Sequence, residues 1–126
     1  MRRRLFAAAL LLSLSACATQ GTKGPALSNR TVLTSDEMVK AGYPDAFTSV
    51  QSLRPQWLVR HGQATLRTAN ESIKVYMDDS LLGGVEALRT IAIRSISSIR
   101  YMDGLQASER WGLDHGQGAI VVTTRK

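Results

Sequence analysis

The sequence predicts one α/β (α+β) domain in which short helices pack on a small mixed β-sheet. Three observations predict it. Ile73-Lys74-Val75-Tyr76-Met77 alternates apolar and polar residues, the period of a strand. Ala119-Ile120-Val121-Val122-Thr123-Thr124 is apolar enough to be a central strand. Elsewhere apolar residues recur at helical spacing in short stretches, bounded by capping residues, prolines and glycines. Interleaved strand and helix signals favour a layered α/β arrangement.

The elements follow in chain order. Residues 18–30 form a tether: Thr19, Gly21, Thr22, Gly24, Pro25, Ser28 and Asn29 leave little apolar content. A tether of 13 such residues has a root-mean-square reach of about 20 Å. Thr31-Val32-Leu33-Thr34 is a short strand. Thr34-Ser35-Asp36-Glu37 is a capping box, a hydroxyl followed three residues on by a carboxylate. The helix it opens stops at Gly42. Asp45 caps a second helix with Phe47, Val50 and Leu53 as its buried stripe, and Pro55 stops it. Trp57-Leu58-Val59 starts a strand. Residues 61–70 are polar and ambiguous.

Ile73, Val75 and Met77 share one face of the next strand, and Asp78-Asp79-Ser80 turns the chain. Gly83-Gly84 breaks it before a short helix through Val85, Ala87 and Leu88. Ile93, Ile96 and Ile99 recur at helical spacing, and Ile99-Arg100-Tyr101-Met102 is extended until Gly104. Residues 107–111 make one helical turn, and Gly112, Gly116 and Gly118 form a loop before the final strand.

Composition sets the class. The chain has 126 residues, 44% hydrophobic and 21% charged, which fits one globular domain and excludes a disordered chain or an integral membrane bundle. Its single cysteine excludes an internal disulfide and any multi-cysteine metal site. The formal charge is +6, but Arg2, Arg3 and Arg4 stand in an N-terminal targeting segment. Without them Lys plus Arg falls from 16 to 13 against 10 acids, leaving +3. The high pI is therefore partly a targeting feature and weak support for nucleic-acid binding.

That segment has a basic start, Arg2-Arg3-Arg4, then an apolar run from Leu5 through Leu12, extended by Ser13 and Leu14. The run is too short to span a bilayer, which takes about 20 apolar residues. Leu14-Ser15-Ala16-Cys17 closes it with small residues before the cysteine. This pattern resembles the lipobox of bacterial lipoproteins. The resemblance implies cleavage before Cys17 and lipidation of that residue. More than one acyl chain would make anchoring effectively stable, at about 0.8 kcal/mol per buried methylene. Ala18 in place of an acidic residue implies sorting to the outer membrane by the enteric pattern. The expected setting of the domain is the periplasm.

Three segments of the mature part carry a second resemblance. Ile73-Lys74-Val75-Tyr76-Met77-Asp78-Asp79 followed by Gly83-Gly84 resembles the V-x-V-x-I-D-G-x-x-x-G strand and turn of the plug domain of TonB-dependent outer-membrane receptors. Residues 96–104, Ile-Ser-Ser-Ile-Arg-Tyr-Met-Asp-Gly, resemble its I-E-S-I-E-V-L-K-G segment. Trp111-Gly112, then Gly116-Gln117-Gly118-Ala119-Ile120-Val121-Val122-Thr123-Thr124-Arg125-Lys126, resembles its closing Y-G-x-x-A-x-G-V-I-x-I-T-T-K-K. Leu33-Thr34-Ser35-Asp36-Glu37-Met38 stands where plugs carry an I-T-A-E-E-I helix start. The resemblance covers nearly all of residues 31–126. Receptor plugs sit inside a barrel that follows them. Here Lys126 follows the last plug-like strand directly, so transport by this chain alone is not expected. Asp79 stands where the family has glycine, and no TonB-box-like segment is evident in the tether. The expected organisation is a signal peptide over 1–16, a lipidated cysteine and tether over 17–30, and a plug-like domain over 31–126.

Candidate chemistry is sparse. Asp78 and Asp79 suit a turn, or a contact with a basic partner. His61 and His115, with Asp114, lack metal-ligand spacing, and His115 in its glycine loop is expected to be exposed. No nucleophile elbow, P-loop or dinucleotide fingerprint occurs. Arg89, Arg94, Arg100 and Arg110 are expected on solvated faces, and Trp57 and Trp111 in the core. The sequence expectation is thus a non-catalytic, outer-membrane-anchored binding module with no cofactor, metal or nucleic acid. Its partners are the membrane through Cys17 and an envelope or outer-membrane protein. The alternative is a small-ligand receptor using the loops with Asp78, Asp79, Gly83 and Gly84 and with Asp114 and His115. A hydrolase ranks last.

Overall fold

The computed structural model describes residues 30–61 and 71–126. Cys17, the signal peptide and the tether as far as residue 29 lie outside the described residues, as do residues 62–70. The α+β expectation holds: among the described residues five strands form one mixed sheet, in the spatial order Val32–Thr34, Ile96–Met102, Ala119–Thr124, Lys74–Met77 and Ser80–Gly84, with short helices packed on it.

Strand β1 (Val32–Thr34) leads directly into helix α1 (Ser35–Ala41). The capping box forms as expected. Thr34 Oγ1 accepts from the Glu37 amide, and the Glu37 carboxylate accepts from the Thr34 amide at 2.9 Å. Gly42 ends α1 in the left-handed region, φ 72°, where a residue with a Cβ is strained. Asp45 caps helix α2 (Ala46–Leu53) by accepting from the Thr48 amide at 2.8 Å. Leu53 ends α2, but Pro55 then opens a 3-10 turn over Pro55–Leu58, so Trp57 does not start a strand. Proline suits the first position of a helical turn, where its missing N–H would go unpaired anyway. The turn drives Trp57 into the core, 2% exposed, where it stacks on Tyr101 at 5.9 Å.

Strands β2 (Lys74–Met77) and β3 (Ser80–Gly84) form an antiparallel hairpin. Its two turn residues are Asp78 and Asp79, with φ of 45° and 71°. Two left-handed residues in succession make a type I′ turn, whose twist matches that of the strands. Gly83 and Gly84 do not break the chain; they pair with Val75 and Lys74, and a register shift falls between Val75 and Tyr76. Two 3-10 turns follow, Val85–Thr90 and Ile93–Ser95. Strand β4 then runs over Ile96–Met102, so the helical spacing of Ile93, Ile96 and Ile99 spans a turn and a strand. Gly104 does not merely end β4. It opens helix α3 (Gly104–Trp111), with Asp103 as the cap accepting from the Gln106 amide at 2.9 Å. A 3-10 turn over Leu113–His115 leads to β5 (Ala119–Thr124).

The final strand is central, as its composition requires. β5 pairs antiparallel with β4 and parallel with β2. One sheet face is sealed. Leu33, Ile99 and Val122 lie side by side on it, with Val75 beside Ile120. Met38 of α1, Phe47 and Val50 of α2, Trp57 and Leu88 cover them. The opposite face is covered at one end only, where Ala107 and Trp111 of α3 pack with Tyr76 and Ala119. No helix among the described residues is long and apolar enough to cross a membrane.

Candidate functional site

The uncovered part of the second face forms an open groove of about 570 Å³. Strand geometry assembles it. Alternate residues of a strand share a face, so Ser98, Arg100 and Met102 of β4 project beside Val121 and Thr123 of β5. Arg110 of α3 stands over the groove, while the Asp78-Asp79 turn and Lys126 close its end. Val121 and Met102 give it an apolar floor, and Ser98 and Thr123 supply hydroxyls.

The carboxylates at the end of the groove are committed. Asp78 accepts hydrogen bonds from the Thr124 hydroxyl and from the Thr124 amide, the latter at 3.0 Å. These bonds, aided by the charge of Lys126, hold its carboxyl below the usual aspartate range. The turn is thereby fastened to the end of β5. Asp79 forms an ion pair with Arg110, both exposed. Arg110 also lies over the Trp111 ring at 4.9 Å. Arg100 is exposed and has no ion pair among the described residues.

Of the residues singled out in the two loops, the groove takes Asp78 and Asp79. Gly83 and Gly84 pair at the start of β2, the opposite end of that strand from Asp78. Asp114 is exposed in its 3-10 turn and is not part of the groove lining. His115 is 5% exposed, contrary to the expectation of exposure. The glycines that suggested a solvated loop instead let the chain fold back over the sheet. His115 Nε2 lies 2.6 Å from the Tyr76 hydroxyl, and Nδ1 lies 3.0 Å from the Gly112 carbonyl oxygen. A carbonyl can only accept, so Nδ1–H donates to Gly112 and Nε2 accepts from the phenol. Tyr76 also stacks on Trp111 at 4.1 Å and 9°. Burial pushes its phenol above the ordinary value. Both ring nitrogens of His115 are thus used in holding α3 and its following loop to the sheet.

His61, by contrast, is exposed, with Nε2 placed 2.9 Å from the Gln56 carbonyl oxygen. Among the described residues no three His, Cys, Asp or Glu side chains gather to hold a metal. Arg89 pairs with Glu86 and lies 3.6 Å from the centre of the Phe47 ring, and Arg94 is exposed.

Arg100 is the groove residue that composition and spacing do not set apart from Arg89, Arg94 and Arg110. Its signal was the alternation in β4: Ser98 and Arg100 fall on the face opposite Ile99 and Tyr101. Two glycines, Gly104 and Gly118, lie at close backbone approaches. A Cβ on Gly104 would fall 2.1 Å from the Gly116 carbonyl oxygen. One on Gly118, φ 94°, would fall 2.7 Å from the Met102 carbonyl oxygen. Comparison with protein-family models, with curated proteins and with solved structures finds no match to the chain.

Proposed function

We propose that the chain is an outer-membrane-anchored periplasmic lipoprotein whose plug-like domain is a non-catalytic binding module for an envelope protein, for instance as an accessory to a TonB-dependent receptor. The lipobox-like segment ending at Cys17 supports the anchor. Support for the plug-like reading comes from position. The three resembling segments supply β2 and its turn, β4, and β5, which are neighbours in one sheet. The glycines they contribute, Gly104 and Gly118, are those at which a side chain meets backbone.

The observation that carries the binding reading is the asymmetry of the sheet. One face is sealed by helices, and the other holds an open groove whose two carboxylates already fasten the fold. Such a surface suits recognition. Its volume lies in the range of ligand sites, which also favours a second reading, a small-ligand receptor using this groove.

The test is a crosslinking experiment on native membranes. A binding module is expected to give one defined envelope-protein adduct, lost when groove residues are substituted. Thermal stabilisation by a small compound without any such adduct would favour the receptor reading. Turnover of a chromogenic ester or glycoside by the purified chain would overturn both. For the anchor, Cys17→Ala is expected to abolish acyl labelling and to release the chain from the membrane fraction. Unchanged labelling and retention would defeat it.

A further inference from the structure

We infer that the groove is a docking site for an acidic peptide segment of a protein partner, with a partner carboxylate held by Arg100. The inference rests on the binding-module reading and names the chemistry of its partner. It follows from which groove charges are already answered. Among the side chains that line the groove, the cations Arg100, Arg110 and Lys126 stand with the carboxylates of Asp78 and Asp79. Arg110 is paired with Asp79. Lys126 lies near enough to Asp78 to favour its ionised form. Arg100 is left without an ion pair among the described residues.

Its position suits a carboxylate. Arg100 stands in the cross-strand line from Val32 of β1 to Val121 of β5, with Ser98 and Met102 two residues to either side on its own face. A guanidinium there presents a planar fork that matches the two oxygens of a carboxylate. Ser98 pairs with Thr123, so two hydroxyls stand one step away, able to donate to the same group. Val121 and Met102 offer apolar surface to the stems of neighbouring side chains. The groove is open rather than enclosed, which fits an extended peptide lying along the strands.

The test is binding by the full lipidated chain in detergent to a fluorescent peptide with a central Glu-Asp pair, to its Gln-Asn counterpart and to inorganic phosphate. Vesicles with and without anionic lipid are offered, without detergent, to the Cys17→Ala chain, which no acyl group holds to them. The acidic peptide is expected to bind, the neutral one at least tenfold more weakly, and salt to weaken the difference. Arg100→Gln is expected to lower acidic-peptide affinity roughly ten- to a hundredfold, the worth of a charge-assisted hydrogen bond. Arg100→Lys is expected to recover part of that loss. Arg94→Gln, outside the groove, is expected to change nothing. Equal binding of both peptides, or an Arg100→Gln chain that is folded by circular dichroism and binds undiminished, overturns the inference. So does Arg100-dependent binding of phosphate or anionic vesicles without the acidic peptide. If membrane crosslinking still gives the envelope adduct while the acidic peptide fails to bind, only the acidic-partner inference falls. If neither is seen, the binding-module reading falls with it.

Discussion

Replacing Gly104 by alanine should destabilise the domain, although alanine is the better helix former. Gly104 opens α3 against the loop that precedes β5. A Cβ there would lie 2.1 Å from the Gly116 carbonyl oxygen, 2.8 Å from its carbon and 3.3 Å from its Cα. Ordinary contact begins near 3.4 Å, so backbone must retreat by more than 1 Å. All three clashing atoms are main chain, and no side-chain rotation relieves them. The retreat would strain the segment holding His115 over Tyr76 and Gly118 under Met102. Helix propensity offers at most about 1 kcal/mol in the other direction. Overpacking of this kind costs about 1–3 kcal/mol, sometimes more; against main chain the upper end applies, and less the propensity gain a net loss near 2 kcal/mol is expected. For a domain of this size that is a fall of roughly 8–16 °C in melting temperature. Urea unfolding followed by the fluorescence of Trp57 and Trp111 measures it. Gly84→Ala is the control, since its φ of −86° suits any residue and a Cβ there meets only Ser72 Oγ, at 3.9 Å. It is expected to change stability by no more than about 0.5 kcal/mol. A Gly104→Ala chain as stable as the parent would refute the close approach between α3 and the loop.

Three further outcomes are expected. Thr34→Ala should remove the hydroxyl that accepts from the Glu37 amide, while keeping the residue-34 amide on the Glu37 carboxylate, and cost about 1 kcal/mol by urea unfolding. His115→Phe keeps an aromatic ring but leaves the buried Tyr76 hydroxyl without its partner, so a loss of about 1–3 kcal/mol is expected, with the far-ultraviolet spectrum unchanged. Stability should also depend on pH at both extremes. The hydrogen bond from the Thr34 amide holds Glu37 below its ordinary 4.5, and the bonds from Thr124 hold Asp78 below 3.8. Folded values below unfolded ones mean that their contribution is present above those values and lost as pH falls through the folded ones. Unfolding midpoints should therefore drop on acidification below about pH 4.5, and a Glu37→Gln, Asp78→Asn chain should show a flatter acid limb. Burial raises Tyr76 and Tyr101 above 10.0, so their contribution is present below that pH and lost as pH rises through the folded values.

What could be read in the sequence was mostly local. The Thr34–Glu37 capping box, Gly42 and Asp45 each satisfy or end a helix through their nearest neighbours, and all three act as expected. The run from Ala119 to Thr124 announced a central strand because a strand flanked on both sides needs apolar residues on both faces. The errors came where one pattern serves two structures. Pro55 stops α2 as expected, yet it also starts the 3-10 turn that buries Trp57, so no strand begins there. Gly83 and Gly84 look like breakers, but the Asp78-Asp79 turn had already reversed the chain and they pair in β3. The isoleucines at 93, 96 and 99 match a helical period only because a turn meets a strand between them. The groove was not legible as a whole. It joins alternate residues of β4 and β5 with Arg110 and the hairpin turn, and only strand register brings those together. His115 misled because a glycine-rich loop need not be solvated when its backbone packs against a helix start.

The most direct measurement places a photo-crosslinking residue at Thr123, in the open groove, and compares it with one at Arg94, outside it, in the full chain in native membranes. A membrane-tethered module that binds through its uncovered sheet face yields one discrete envelope-protein adduct from position 123, none from position 94, and none when Cys17→Ala frees the chain. The same adducts from both positions, or none from either, contradict it.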